Sequence, residues 1–184
     1  VDRKRAENAV RELLAAIGED VTREGLRETP ERVARMLEEL TAGYADRAEE
    51  HLGKTFAESG SALVIERDIA FSSTCEHHLM PFFGRVHIAY VPDGKVAGLS
   101  KLARTVEVYA RRLQLQERMN AQIADAIYRH LAPKGVAVVV EAEHTCMTAR
   151  GVKKTGSSTV TCAVRGEISD GVVAQLLSYA GERR

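Results

Sequence analysis

Residues 136–147, VAVVVEAEHTCM, decide both the fold and the chemistry of this chain. Side chains alternate across a strand with a period of two, so Val136, Val138, Val140, Ala142, His144 and Cys146 share one face, and Glu141, Glu143 and Thr145 the other. An apolar face that ends in an imidazole and a thiol is a core strand carrying metal-binding groups to its tip. Downstream, residues 151–157 are rich in turn formers and residues 158–164 read as a further strand. Ser169 is placed to cap a short last helix bearing Val173, Leu176 and Leu177. Upstream, residues 100–131 carry two helical stripes, Leu102, Val106, Tyr109 and Leu113, then Met119, Ile123 and Ile127, joined at residues 114–117 and stopped by Pro133 and Gly135. Before them, residues 62–72 and 84–91 read as strands, the second closed by the turn Pro92-Asp93-Gly94. The order ββααββ predicts an α+β fold, an antiparallel sheet with helices on one face.

Two amphipathic helices precede this block. Ala6, Val10, Leu13, Leu14 and Ile17 keep helical spacing up to Gly18. Thr29 is positioned to cap the second helix and Pro30 suits its first turn, with Val33, Met36, Leu37 and Leu40 as its stripe. Residues 45–60 are polar and follow neither period, and are expected to be an irregular connection. The expected division is a helical segment over 1–60 and a sheet domain over 61–184.

Composition narrows the function. A chain of 184 residues with 45% hydrophobic content buries roughly 70% of its unfolded surface without staples. Lys plus Arg and Asp plus Glu both number 26, so no global field favours nucleic acid or a membrane surface, and anion binding requires a local cluster. Three cysteines, two of them beside histidines, fit reduced thiols in a cytoplasmic protein better than a disulfide framework. No apolar run approaches the ~18 residues of a membrane span.

Cys75 and His78 lie three apart in the connection between two strands, close enough to chelate one ion, and folding would have to bring in Cys146. Thiolate and imidazole are ligands that zinc prefers. A set of two cysteines and one histidine leaves a tetrahedral corner for water, and His77 and His144 are then spare for proton movement. The alternative is a closed structural zinc completed by His77, His144 or Cys162. Ser100 can cap the helix beginning beside it, where Lys101 and Arg104 oppose the helix dipole and are better explained by a bound anion. Arg150 supplies another cation four residues after Cys146. Glu117 reads locally as a first-turn acid, His87 as sheet surface, and Cys162 as a thiol packed with Val160 and Val164.

The segments CEHHLMPFFGRVHIAYVPDG, GLSKLAR, LQLQER and EAEHTCMTARGVKKTGSSTVT, and more weakly TPERVARM, resemble the GTP cyclohydrolase I family. The likeness is densest from Cys75 to Thr161 and carries several independent motifs. It implies the tunnelling fold and conversion of GTP and water to formate and 7,8-dihydroneopterin triphosphate, the entry to folate and other pterins. Cys75, His78 and Cys146 are implied as zinc (Zn2+) ligands with water in the fourth place. His77 and His144 are implied as proton carriers, Glu117 as the carboxylate that reads guanine, and Ser100, Lys101, Arg104 and Arg150 as triphosphate contacts. Arg32 is implied as a further contact from a neighbouring subunit. The family's toroidal decamers place active sites between subunits, which implies a homo-oligomer. The chain departs from the family pattern at its opening Val1, at Cys162 where a small hydroxyl residue is usual, and in a short, divergent tail after Gly166.

Overall fold

The computed structural model describes residues 1–58, 60 and 62–181. The chain divides into two compact units, Val1–Ala42 and Gly43–Arg184. The first holds two helices packed on each other, α1 (Arg3–Ala16) and α2 (Thr29–Leu40). Asp2 caps α1 by accepting from the Arg5 amide, and Gly18 follows at a positive φ of 87°, the left-handed conformation that ends helices cheaply. Thr29 is the first residue of α2 rather than its cap, and Glu28 occupies the cap position without a side-chain bond.

The second unit begins earlier than expected because residues 45–60 are not an irregular connection. They contain α3 (Ala48–Leu52), whose Ala48 and Leu52 are buried, and β1 (Thr55–Ala57). The expected boundary falls beside Ser59 and Ser61, which lie outside the described residues. Then come β2 (Val64–Cys75), β3 (Pro81–Val91), β4 (Lys95–Ala97), α4 (Leu99–Ala110), β5 (Leu113–Gln114), α5 (Gln116–Leu131), β6 (Gly135–His144), α6 (Thr145–Thr148), β7 (Thr159–Gly166) and α7 (Asp170–Tyr179). The long elements reproduce the order ββααββ. The main sheet runs β5-β2-β3-β6-β7, antiparallel apart from the short β5, which lies parallel to β2 at the joint between α4 and α5. β1 and β4 form a separate antiparallel pair.

Period-two alternation sorts the core. Val86, Ile88 and Tyr90 of β3 and Val136, Val138, Val140 and Ala142 of β6 join Leu102, Val106, Met119, Ile123 and Ile127 of α4 and α5 in one buried cluster. Helices are not confined to this face. Ala89, Ala137 and Val139 form a second cluster with Leu176 of α7, which is held at its start by Ser169 accepting from the Val172 amide. This second layer buries His87 completely, contrary to its reading as sheet surface. The His87 Nδ1 accepts from the Asp68 amide at 3.2 Å, where β2 bulges and Asp68 takes a φ of 61°, and the Tyr179 ring lies 5.9 Å away. Burial pushes the His87 pKa down, so the ring is held towards its neutral form.

At Gly84 the backbone of β6 leaves no room for a side chain: a Cβ there would lie 1.9 Å from the Glu141 carbonyl oxygen. This close register brings Phe82 opposite His144 two residues further along.

Candidate active site

The candidate site lies where β2 ends, β3 begins and β6 ends. The turn after β2 is closed by the Cys75 amide donating to the Met80 carbonyl at 2.8 Å, with Leu79 at a φ of 54°. This places His77 and His78 on an exposed tip, their rings 6.1 Å apart and nearly perpendicular. On the neighbouring strand the chain leaves β6 at His144 and turns at once into α6. The strict alternation that would have carried Cys146 along the sheet face therefore stops two residues short of it. The Thr145 hydroxyl donates to the Pro81 carbonyl at 2.6 Å and fastens this turn to the start of β3.

The result is that Cys75, His78 and Cys146 offer ligand atoms all within 4.8 Å of one another. Zinc bonds of about 2.3 Å to sulfur and about 2.0 Å to nitrogen allow one ion to bridge such a group with small side-chain movements. The electrostatics fit a cation too. Burial, and then the adjacent Cys75 sulfur, push the Cys146 thiol up, with Arg150 opposing them. The Cys146 sulfur in this setting carries negative charge readily only around a positive ion. Cys162 lies on β7 in register with Val139 and is exposed, so it is neither the packed thiol expected nor part of this three-residue cluster.

His144 stacks on buried Phe82 with ring centroids 4.6 Å apart and planes 10° apart. Burial lowers its pKa, and the nearby Glu117 carboxylate opposes that shift, which places Glu117 in the same electrostatic neighbourhood. Glu117 is exposed in the first turn of α5. Its neighbour Arg118 grips Glu76 with two bonds of 2.7 Å each, tying the start of α5 to the turn that carries His77 and His78. That pair, with the Arg118 bond as its main cause, lowers the Glu76 pKa. Glu76, Arg118, Gln116 and Phe82 were not legible as site residues from spacing, because their partners lie far along the chain.

The other expected anion contacts are placed as follows. Ser100 is the second residue of α4, and Gly98 rather than Ser100 occupies the cap position. Lys101 and Arg104 follow on the first turns, and the field of Arg104 reaches Asp46, which also binds His51 at 2.9 Å. Among the described residues, no hydrogen bond or ion pair links these three side chains to the sulfur–imidazole cluster. Arg150 is exposed beyond α6. Arg32, on α2 of the first unit, pairs with Glu28 at 2.6 Å. A 380 Å³ depression lined by Phe83, Arg85, Glu141, Glu143 and Ser157 contains none of the cluster's ligands.

Comparison with known proteins now adds to this geometry. Residues 6–178 match the family model described as GTP cyclohydrolase I. A protein of Clostridium kluyveri named GTP cyclohydrolase 1 is 59% identical over 166 residues, covering 90% of each chain. A namesake from Streptococcus sanguinis is 55% identical over 169 residues, covering 92% of each. Among solved structures, the crystal structure of the archaeosine synthase QueF-Like in the apo form superposes with a TM-score of 0.50 at 20% identity, over 61% of this chain and all of that one. That last likeness concerns the fold alone, and agrees with the expected tunnelling-fold α+β architecture.

Proposed function

Because the chain belongs to the GTP cyclohydrolase I family, an enzyme family, we propose that it hydrolyses GTP at guanine C8, releases formate and recloses the opened product as 7,8-dihydroneopterin triphosphate, the entry step to folate and other pterins. The observation that supports this most is the convergence of Cys75, His78 and Cys146 at the end of the strand that carries His144. The two sulfurs and one imidazole would hold a zinc ion, which when bound would lower the pKa of water towards neutrality. His144 moves a proton at the guanine imidazole nitrogen, and His77, exposed on its turn, relays a second as the ring opens and formate leaves. The ribose then rearranges and recloses onto the pyrimidine.

Glu117 reads the base. Its carboxylate oxygens accept the N1–H and 2-amino protons of guanine, whereas adenine presents a lone pair at N1 to the same oxygens. Ser100, Lys101, Arg104 and Arg150 hold the triphosphate, with Arg32 of a neighbouring copy as an additional contact. Family resemblance carries the rest of the proposal: a homo-oligomer, a decamer with active sites between subunits, working on a small molecule in the cytoplasm rather than on nucleic acid or a membrane. Catalysis resides in the part from residue 61 onward.

The substrate assignment is tested at Glu117. Two charge-assisted bonds of roughly 1.5–3 kcal/mol each imply that Glu117→Ala weakens GTP binding by about 10²-fold or more. Bound metal should stay unchanged. Calorimetric titration with GTP and ATP, alongside metal analysis, checks this: wild-type protein should prefer GTP strongly, and equal GTP affinity in the variant would return Glu117 to a mere helix-start acid.

A further inference from the structure

Gln116, the first residue of α5, is 1% exposed, and its side-chain amide lies within hydrogen-bond distance of four groups. Its Nε2 donates to the Val140 carbonyl at 3.1 Å and the Thr159 carbonyl at 2.9 Å, and lies 3.2 Å from the Thr161 hydroxyl. Main-chain carbonyls carry no hydrogen, so they accept only the NH2 end of the amide and thereby fix which way Gln116 faces. The opposite end, Oε1, lies 2.8 Å from His144 Nε2. An amide oxygen has no proton to give, so the hydrogen in that bond belongs to the histidine. The stack on Phe82 sets the plane of the ring, and the Gln116 bond sets its rotation within that plane.

We infer that Gln116 is a positioning residue that commits His144 Nε2–H to the protein and leaves Nδ1 as the nitrogen that exchanges a proton with the substrate. The inference rests on the function proposed above for what His144 does, but the lock itself stands on the β6–β7 ladder alone. It holds in either charge state of the ring, because Nε2 keeps its hydrogen in both and only Nδ1 gains or loses one. A single residue thereby connects the start of α5, where Glu117 follows immediately, to the proton-carrying imidazole, so the group that reads the base and the group that serves it share one anchor.

The tautomer can be seen without nucleotide. Magic-angle-spinning NMR of the 15N-histidine-labelled protein at about pH 8, well above the ordinary histidine pKa of ~6.5, with the His144 signals assigned by their loss in His144→Ala, should show hydrogen on Nε2. A hydrogen on Nδ1 would overturn the inference. Thr161→Val, which keeps both carbonyl anchors, should retain the Nε2–H form, and its loss there would also count against the lock. Gln116→Met should admit the Nδ1–H form and lower kcat by about 10–100-fold, the size of effect known for partners that orient metal-binding imidazoles, with KM within about twofold. Unchanged kcat, or a loss confined to KM, would show that the bond does not position a catalytic group. A protein with the expected tautomer that released no formate from GTP would refute the proposed function and leave the lock intact.

Discussion

The Cys146→Ser protein is expected to lose its bound metal and to fall in formate release from GTP by roughly 10³-fold or more, since several kcal/mol of metal-derived stabilisation disappear at ~1.36 kcal/mol per tenfold. Serine keeps the shape of the side chain but replaces a soft thiolate by a hydroxyl that zinc binds poorly at neutral pH. The fold should persist. Cys146 is only partly buried and sits on the single turn of α6, which is independently fastened by Thr145 to Pro81. Metal analysis, formate release and circular dichroism on the same preparation therefore separate two accounts. A folded, metal-free, inactive protein supports a catalytic site, whereas unfolding on loss of the ion would mark a structural zinc. Unchanged metal with unchanged turnover would remove Cys146 from the ligand set.

The second large effect belongs to His144→Ala. A positioned acid–base group contributes about 10²–10⁴-fold, and formate release should fall by that amount while metal content stays as in the wild type. The physical reason is the separation of duties at the end of β6: His144 is bound to Gln116 and stacked on Phe82, whereas the neighbouring Cys146 turns away into α6 towards Cys75 and His78. Metal analysis and single-turnover measurement of ring opening check the division. Retained ring opening would strip His144 of its proton-carrying role, and lost metal would make it a ligand.

What could be read from residues alone follows the range of the interactions involved. The β6 alternation and the stripes of α4 and α5 are properties of consecutive residues, so the α+β order was visible, and the three candidate ligands stood out by type. Failures occurred where long-range packing decides. α3 was hidden because it has just two buried residues, Ala48 and Leu52, with Glu49 and Glu50 exposed between them, too short a stripe to register as a period. His87 looked like surface until α7 covered the second face of the sheet. Ser100 resembled a cap, yet the chain enters α4 one residue earlier, at Leu99. Cys162 alternates correctly on β7, but the face it occupies with Val160 and Val164 is exposed in this chain. Gln116 offered no local signal, since its partners are 24 to 45 residues away. The reading of Glu117 as a base-recognition group came from family resemblance, and the field of its carboxylate acting on His144 is compatible with that reading.

The most direct measurement follows GTP with the purified protein before and after chelation, recording formate and the pterin chromophore together. The account predicts one formate per GTP consumed, a pterin appearing with it, and loss of both on chelation with recovery when zinc is returned. Formate release that survives complete removal of metal, or GTP consumption without any formate, would contradict it.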